Sequence, residues 1–442
     1  MKKPRTAPSQ RELWTRFEEG FGRLAEILIT VAGPTVDGKY LHWDRLKYYP
    51  PPAGLTHEDW WAGLKFHRIQ AKPLPLNDVH GHPFSFNLVD PLPECLHHVD
   101  SQSRGVVQMT EPVTNPETKD RYLMRSLIEE AITSSQLEGA STTREVAKRM
   151  IREGRKPRNR DERMILNNFQ TMREILGLKG EPLTKGIVFR LQGMVTDGAL
   201  DKPDGSGRFR RADESIIVAD DSGEVFHVPP PAEQLDERME LLCRFANGTT
   251  PEGFVHPLIR SIILHFWLAY DHPFVDGNGR TARAIFYWSM LRHGYWLFEF
   301  ISISRVILHA PVQYGMAFLY TETDGNDLTY FLLYHAEVVR KAIAELHEYL
   351  ESRAREIGGI DAVLRGRTTL NPRQRDIIGH ALRHPGQGLD IESHRSSHGV
   401  VYETARSDFM DLVERGLFTK AKSGRFWRFR PVADLEGKLK QL

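Results

Sequence analysis

The stretch DHPFVDGNGRTAR, Asp271 to Arg283, packs one His, two acids, two Gly, an Asn and two Arg into thirteen residues. Gly277-Asn278-Gly279 permits unusual backbone angles and the close approach of a ligand. Its N–H groups can converge into an anion nest. A helix, RTARAIFYWSMLRH, follows at once, so the positive end of its dipole faces the loop. Arg280 and Arg283 are three apart and therefore neighbours on that helix. Together these features describe a cradle for a phosphate chain.

His272 enters just before the loop, where an imidazole can take a proton from an attacking hydroxyl near neutral pH. Asp276 is a lone carboxylate beside the phosphate position, a donor set that suits Mg2+. Pro273 and Phe274 are expected to anchor the loop. The Walker pattern G-x-x-x-x-G-K-[ST] is absent, and so are the alternating ligands of an EF-hand. A plain turn between helices would account for the D-G and N-G pairs. It would not account for His, Asp, Gly-Asn-Gly and two Arg in register.

The rest of the chain sets the context. It has 442 residues, 40% hydrophobic and 26% charged, with 59 Lys/Arg against 58 Asp/Glu. That is ordinary globular composition with no global signal for nucleic acid or membrane, and the length suits two to four units. Cys95 and Cys243 are the two cysteines, and neither lies in a metal-binding or disulfide pattern. Two reduced thiols fit the cytoplasm. The N-terminus has no apolar signal region, and no apolar run is long enough to span a membrane.

Working outward, residues 1–110 read as a small α+β unit: a helix capped at Thr56 carrying a packing pair Trp60-Trp61, then strands around Gly81. A helix over 121–139 places Met124, Leu127, Ile128, Ala131, Ile132 and Ser135 on one face, with Gly139 as its stop. More helices are expected around 142–153, 160–177, 183–197, 232–246, 257–270, 280–293, 302–321 and 326–355. Between them, ESIIVA and EVFHV around DDSG form a hairpin, ended by Pro229-Pro230-Pro231. Residues 356–370 read as a linker. Residues 371–442 give helix, short helix, helix and a two-stranded wing, the order of a winged helix-turn-helix. From 365 to 442 there are 15 Lys/Arg and 9 Asp/Glu, so this segment is +6 in a chain of net +1. That asymmetry favours DNA contact through 371–431, although winged helices also dock proteins.

His272 to Arg283 fits, without a gap, H-P-F-x-[D/E]-G-N-G-R-x-x-R, the signature of Fic-domain proteins. The chain resembles that family over about 120–345, with Ala282 standing where Gly is frequent. The resemblance implies a mainly α fold: a Fic-type helical core (111–355) with a β-hairpin flap (205–230) and the motif at 272–283, between the N-terminal unit and the winged helix. It implies transfer of AMP from ATP to a Ser, Thr or Tyr hydroxyl of a target protein, with Mg2+. By motif match His272 is the base and Asp276 the metal ligand. Gly277, Asn278, Gly279, Arg280, Thr281, Ala282 and Arg283 contact the nucleotide, with Arg280 on phosphate and Arg283 on the γ-phosphate. Tyr314 flanks the adenine.

Ser134-Ser135-Gln136-Leu137-Glu138-Gly139 fits the family's inhibitory motif, [S/T]-x-x-x-E-[G/N], with Ser134, Glu138 and Gly139 on its marked positions. Glu138 is expected to pair bidentately with Arg283 and take the place of the γ-phosphate. The flap implies target docking by β-augmentation on Ile216, Ile217 and Val218. The expected partners are an unidentified target protein and the chain itself, through self-modification, with DNA and a homodimer as candidates and no membrane. Two alternatives stay open: AMP removal, with Glu138 positioning a water, and a DNA-binding regulator whose core senses nucleotide. His256 and His265, outside the signature, are expected to be structural.

Overall fold

The computed structural model describes residues 2–15, 21–69, 72–103, 116–219, 222–365, 370–383, 388–423 and 426–441. The fold is mainly helical and divides into two compact units, Met1–Leu346 and His347–Leu442.

The first unit begins with α1 (Gln10–Thr15), α2 (Phe21–Thr30), α3 (Trp43–Leu46) and α4 (His57–His67). α4 starts on a capping box between Thr56 and Asp59. It buries Trp60 and Trp61 in an apolar cluster with Ile27, Val31 and Leu46. β1 (Lys72–Asn77) and β2 (Pro83–Phe86) then pair antiparallel, followed by α5 (Leu92–Ser103).

These segments do not form the separate 1–110 unit expected from the sequence. The Ser85 N–H bonds the Asn326 carbonyl at 3.1 Å, and the Leu328 N–H bonds the Ser85 carbonyl at 2.8 Å. Arg68 is buried, donates to the carbonyls of Pro34 and Leu41 and to the Tyr330 hydroxyl, and lies 3.7 Å from the Tyr40 ring centre. A buried cation with all three nitrogens engaged across three segments welds the N-terminus to the core.

The core comprises α6 (Pro116–Leu137), α7 (Arg144–Glu153), α8 (Arg160–Leu178), α9 (Lys185–Thr196), α10 (Leu235–Ala246), α11 (Pro257–Asp271) and α12 (Asn278–Arg292). α6 starts five residues earlier than the 121 expected. Leu127, Ile128, Ala131, Ile132 and Ser135 are buried, whereas Met124 is exposed. α11 packs along α12, α6 along α8, and α9 against both α8 and α12. α11 and α12 are buried around nearly their whole circumference. Such helices carry few charges, and each must be satisfied internally. The loop that joins these two helices therefore sits at the centre of the unit.

After a 3-10 turn at Trp296–Glu299 come α13 (Ile303–His309), α14 (Pro311–Thr323) and α15 (Thr329–Arg365). The single helix expected over 302–321 is broken, because Pro311 lacks an N–H and forces Ala310 out of helical geometry, to φ −145°. α15 runs on to Arg365, so residues 356–365 of the expected linker are helical and the boundary between units falls at 346. Ala362, Leu364 and Arg365 are good helix formers and outweigh the Gly358-Gly359 pair. The remaining linker residues 366–369 lie outside the described residues.

The hairpin consists of β3 (Val218–Ala219) and β4 (Val225–His227). The turn residues Asp220 and Asp221 lie outside the described residues. Ile216 and Ile217, expected in the strand, fall short of it. The register Val218↔His227 would set Ile216 opposite Pro229, which has no N–H to share.

The second unit holds α16 (Pro372–Arg383), α17 (Ile391–His398), α18 (Tyr402–Glu414), the antiparallel pair β5 (Phe418–Ser423) and β6 (Phe426–Pro431), and α19 (Leu435–Gln441). Helix, helix, helix, hairpin is the order that the sequence led us to expect; α19 and an isolated Leu389↔Phe429 bridge are additions. Phe409 and Phe429 stack at 4.4 Å in a core with Ile378, Ala405 and Leu412. Buried Asp408 accepts from Arg373, Asn371 and His394, which ties α16, α17 and α18 together.

Candidate active site

His272 caps α11 in the left-handed region, at φ +44° and ψ +55°. This conformation is unusual for a residue other than Gly and requires support from around it. Its Nδ1 lies 3.1 Å from the Ala269 carbonyl. A carbonyl only accepts, so Nδ1 carries the hydrogen and Nε2 keeps a lone pair. Burial, the neighbouring His227 and Arg210 hold its pKa below 6.5, against the pull of Glu138 and the Ala269 carbonyl. The ring is a neutral base at pH 7.

The loop after His272 is held by Asn278. Its side chain accepts from the Phe274 N–H at 2.9 Å and donates to the Phe274 carbonyl at 2.8 Å. Phe274 is fully buried, as expected of an anchor. Gly277 sits at φ +82°, and a Cβ there would come within 2.9 Å of Thr196. α12 starts at Asn278, so the N–H groups of its first turn have no acceptor within the helix.

Arg280 and Arg283, both essentially unexposed, have different partners. Arg280 donates to the Val195 carbonyl at 2.8 Å and to Asp276 Oδ1 at 3.1 Å, and its Nε is buried without a partner. Asp276 also has Arg160 at 3.6 Å from Oδ2. Arg283 donates from Nε to Ser134 Oγ at 2.8 Å, and from a terminal nitrogen to the Ser134 carbonyl at 3.0 Å and Glu138 Oε1 at 2.7 Å. The Glu138 pairing is thus one-pronged rather than bidentate, and the Ser134 hydroxyl occupies the Nε that a side-on fork would use.

Glu138 lies just past the end of α6, in the turn that Gly139 completes at φ +92°. Its carboxylate rests on Gly279. A Cβ on Gly279 would fall 2.1 Å from Glu138 Oε1, so only Gly leaves room. An anion therefore already sits over the first turn of α12. Burial pushes the Glu138 pKa up, but the Arg283 guanidinium outweighs it and holds the group below the usual range.

A cavity of about 250 Å3 opens beside this contact. Glu138, His272 and Gly279 line it together with Val218, Phe226 and His227 of the hairpin and Tyr314, Phe318 and Leu319 of α14. Tyr314 lines this cavity, its hydroxyl 2.9 Å from His265 Nε2. His265 has both ring nitrogens engaged, the other facing His335 at 3.2 Å, as befits a structural residue. Thr281 and Ala282 are fully buried and absent from the cavity wall, and the Thr281 N–H bonds back to the Gly277 carbonyl.

Sequence reading missed His227 and Glu322. His227, from β4, has Nδ1 2.7 Å from Glu322 Oε2 and Nε2 2.7 Å from the Tyr270 carbonyl. Both residues line the cavity. Their contact spans 95 positions, and no local pattern announces it.

Residues 182–290 match the Fic/DOC family model. A curated relative, the protein adenylyltransferase Fic of Nematostella vectensis, is 36% identical over 90 residues, which is 20% of this chain and 19% of that one. The protein of the same name from Drosophila melanogaster is 36% identical over 69 residues, 16% of this chain and 14% of that one. The chain thus spans a fifth or less of these relatives' length. Among solved structures, a Fic family protein from Desulfovibrio desulfuricans G20 aligns over 79% of this chain and 98% of that chain, with a TM-score of 0.51 and 19% identity, a likeness of fold. Motif, fold and family match agree: the chain carries a Fic domain of the Fic/DOC family.

Proposed function

We propose that the protein is a protein adenylyltransferase that holds itself inactive through Glu138. The observation that carries this reading is the Glu138 carboxylate seated over Gly279 and bound by Arg283, in a cradle suited to phosphate. With Glu138 displaced, ATP takes the cavity, with its base toward Tyr314 and Phe318 and its phosphates toward the first turn of α12. The target hydroxyl oxygen attacks the α-phosphorus and gives its proton to His272 Nε2. The new O–P bond forms as the bond from Pα to the bridging oxygen breaks, and pyrophosphate leaves. Positioning and charge neutralisation carry most of such a transfer.

Asp276 would hold Mg2+. Its Oδ1 is engaged with Arg280, while Oδ2 has only the long contact to Arg160 and the side chain is 32% exposed, a single available carboxylate oxygen beside the phosphates. The ion would neutralise phosphate charge. For the target, β3 offers an edge in its two-stranded sheet, with Ile217 exposed beside it, so an extended segment can pair there by β-augmentation.

The test is self-labelling of the full chain with α-labelled ATP and Mg2+. Glu138→Gly should label strongly and the parent weakly, while Glu138→Gly/His272→Ala should not label. Equal labelling of all three would overturn the reading. A second reading is AMP removal, favoured by the presence of Glu138 and His272 in one cavity, where the carboxylate would hold an attacking water. In that case a pre-labelled target loses its label to the parent and keeps it with Glu138→Gly.

A further inference from the structure

The segment between α9 and the flap reads GRFRRADE, and its two buried or half-buried arginines do different things. Arg208 is paired on two prongs with Glu214, at 2.8 and 2.7 Å. Phe209 packs on Phe189 and Phe274. Arg210 is buried, yet no carboxylate among the described residues lies within ion-pair distance of it. Of the two acids that follow along the chain, Asp213 is exposed and Glu214 is already taken by Arg208, and Asp271 is taken by Arg238. An unpaired buried cation is costly unless its donors have specific work.

Those donors go to two backbone carbonyls. Arg210 Nε donates to the His272 carbonyl at 2.9 Å, and a terminal nitrogen donates to the Pro230 carbonyl just beyond β4. The Arg210 N–H adds a third bond, to the Pro273 carbonyl at 2.9 Å. The left-handed backbone of His272 is thus held from the flap side at its own carbonyl and at the next. On the other face, His227 of β4 touches Tyr270, two residues before His272.

We propose that Arg210 is a positioning residue that clamps the flap to the base, so that His272 is aimed at the reacting hydroxyl only while the flap is seated. The inference rests on the adenylyltransferase reading for its kinetic consequence, but the clamp itself is a statement about two backbone segments. A target strand added to β3 would then bear on the base through one guanidinium. Arg210 touches neither substrate nor the reacting atoms, so its loss should lower turnover and spare nucleotide binding.

The test uses the full chain carrying Glu138→Gly, with Arg210→Ala and Arg210→Lys added separately. Single-turnover self-labelling is followed across ATP concentrations, and amide hydrogen exchange is measured on peptides covering 211–229 and 268–276. The expected result is a maximal rate down at least tenfold for Arg210→Ala, with half-saturating ATP changed less than threefold. Arg210→Lys keeps the charge but reaches one carbonyl, so its rate should stay at least fivefold down. In both variants, exchange should quicken in both peptides together. A maximal rate within twofold of the Glu138→Gly parent, or faster exchange in one peptide alone, would overturn the clamp, as would parallel losses of rate, ATP affinity and melting temperature. Should the Glu138→Gly parent not label at all, the adenylyltransferase reading fails, while the coupled exchange still decides the clamp.

Discussion

Replacing Glu138 should destabilise the empty protein and enlarge its response to ATP. Arg283 is 1% exposed, and among the described residues Glu138 is the carboxylate it pairs with, at 2.7 Å. A hydrogen bond between charged groups contributes about 1.5–3 kcal/mol. The Glu138 side chain is 29% exposed, so the lower half of that range, about 1.5–2 kcal/mol, is the better figure. Removing the carboxylate leaves the guanidinium without its paired anion, and for a unit of 346 residues the melting temperature should fall by roughly 2–4 °C. ATP then needs to displace nothing. Its affinity for Glu138→Gly should exceed that for the parent by the same 1.5–2 kcal/mol, about 13- to 30-fold. At an ATP concentration one hundred times the variant's Kd, the variant gains about 2.7 kcal/mol and the parent about 0.9–1.3. Scanning calorimetry with and without ATP and Mg2+ measures both quantities. Glu138→Ala should behave alike, which removes glycine's backbone freedom as the cause, and Glu138→Gln should fall between. A variant as stable as the parent when empty, with both shifted equally by ATP, would refute the reasoning.

Three further outcomes follow from single contacts. Because burial, His227 and Arg210 depress the His272 pKa, the acid limb of the maximal labelling rate of Glu138→Gly should be centred below pH 6.5; an acid limb centred at or above pH 7 would show that His272 is not the base. Gly279→Ala in the same background should cut labelling at least tenfold with the melting temperature unchanged or raised, since the added Cβ occupies the carboxylate's seat 3.2 Å from an Arg283 nitrogen while Ala gains about 1 kcal/mol of helix propensity; full activity would mean that phosphate does not bind there. Asp408→Ala should cost the 347–442 unit about 3 kcal/mol and leave labelling intact. Burial raises the Asp408 pKa, but Arg373, Asn371 and His394 outweigh it. Its folded value thus lies below its unfolded one, so its contribution is complete above about pH 4 and disappears as pH falls through the depressed value. Calorimetry of the second unit at pH 7 and at pH 3 should show that difference shrink, and a constant difference would contradict the assignment.

What was legible in the sequence had a local physical basis. Thr56 announces a helix cap, Gly139 a helix stop, and the alternation around DDSG a hairpin, because each is decided within a few residues. What was misread depends on partners far along the chain. Residues 1–110 look separable until Arg68 reaches Tyr330. Ile216 looks like a strand residue until the register sets it opposite Pro229. The same limit governs the motif. Arg280 and Arg283 stand three apart on one helix and read alike as phosphate ligands. Arg280 has its counter-charge four residues back, in Asp276, and the Val195 carbonyl as a second acceptor, so its charge is paired whether or not a ligand is present, although its Nε has no partner. Arg283 has no acid on its own helix face, and the charge it needs when the cavity is empty must come from elsewhere. A site built to bind a polyanion through a fully buried cation is unstable when empty unless the chain supplies a substitute anion. Glu138 does so from 145 positions away, in space that Gly279 leaves open. On the proposed reading, the inhibitory contact and the stability of the empty site are therefore one interaction, and a variant cannot relieve the first without weakening the second.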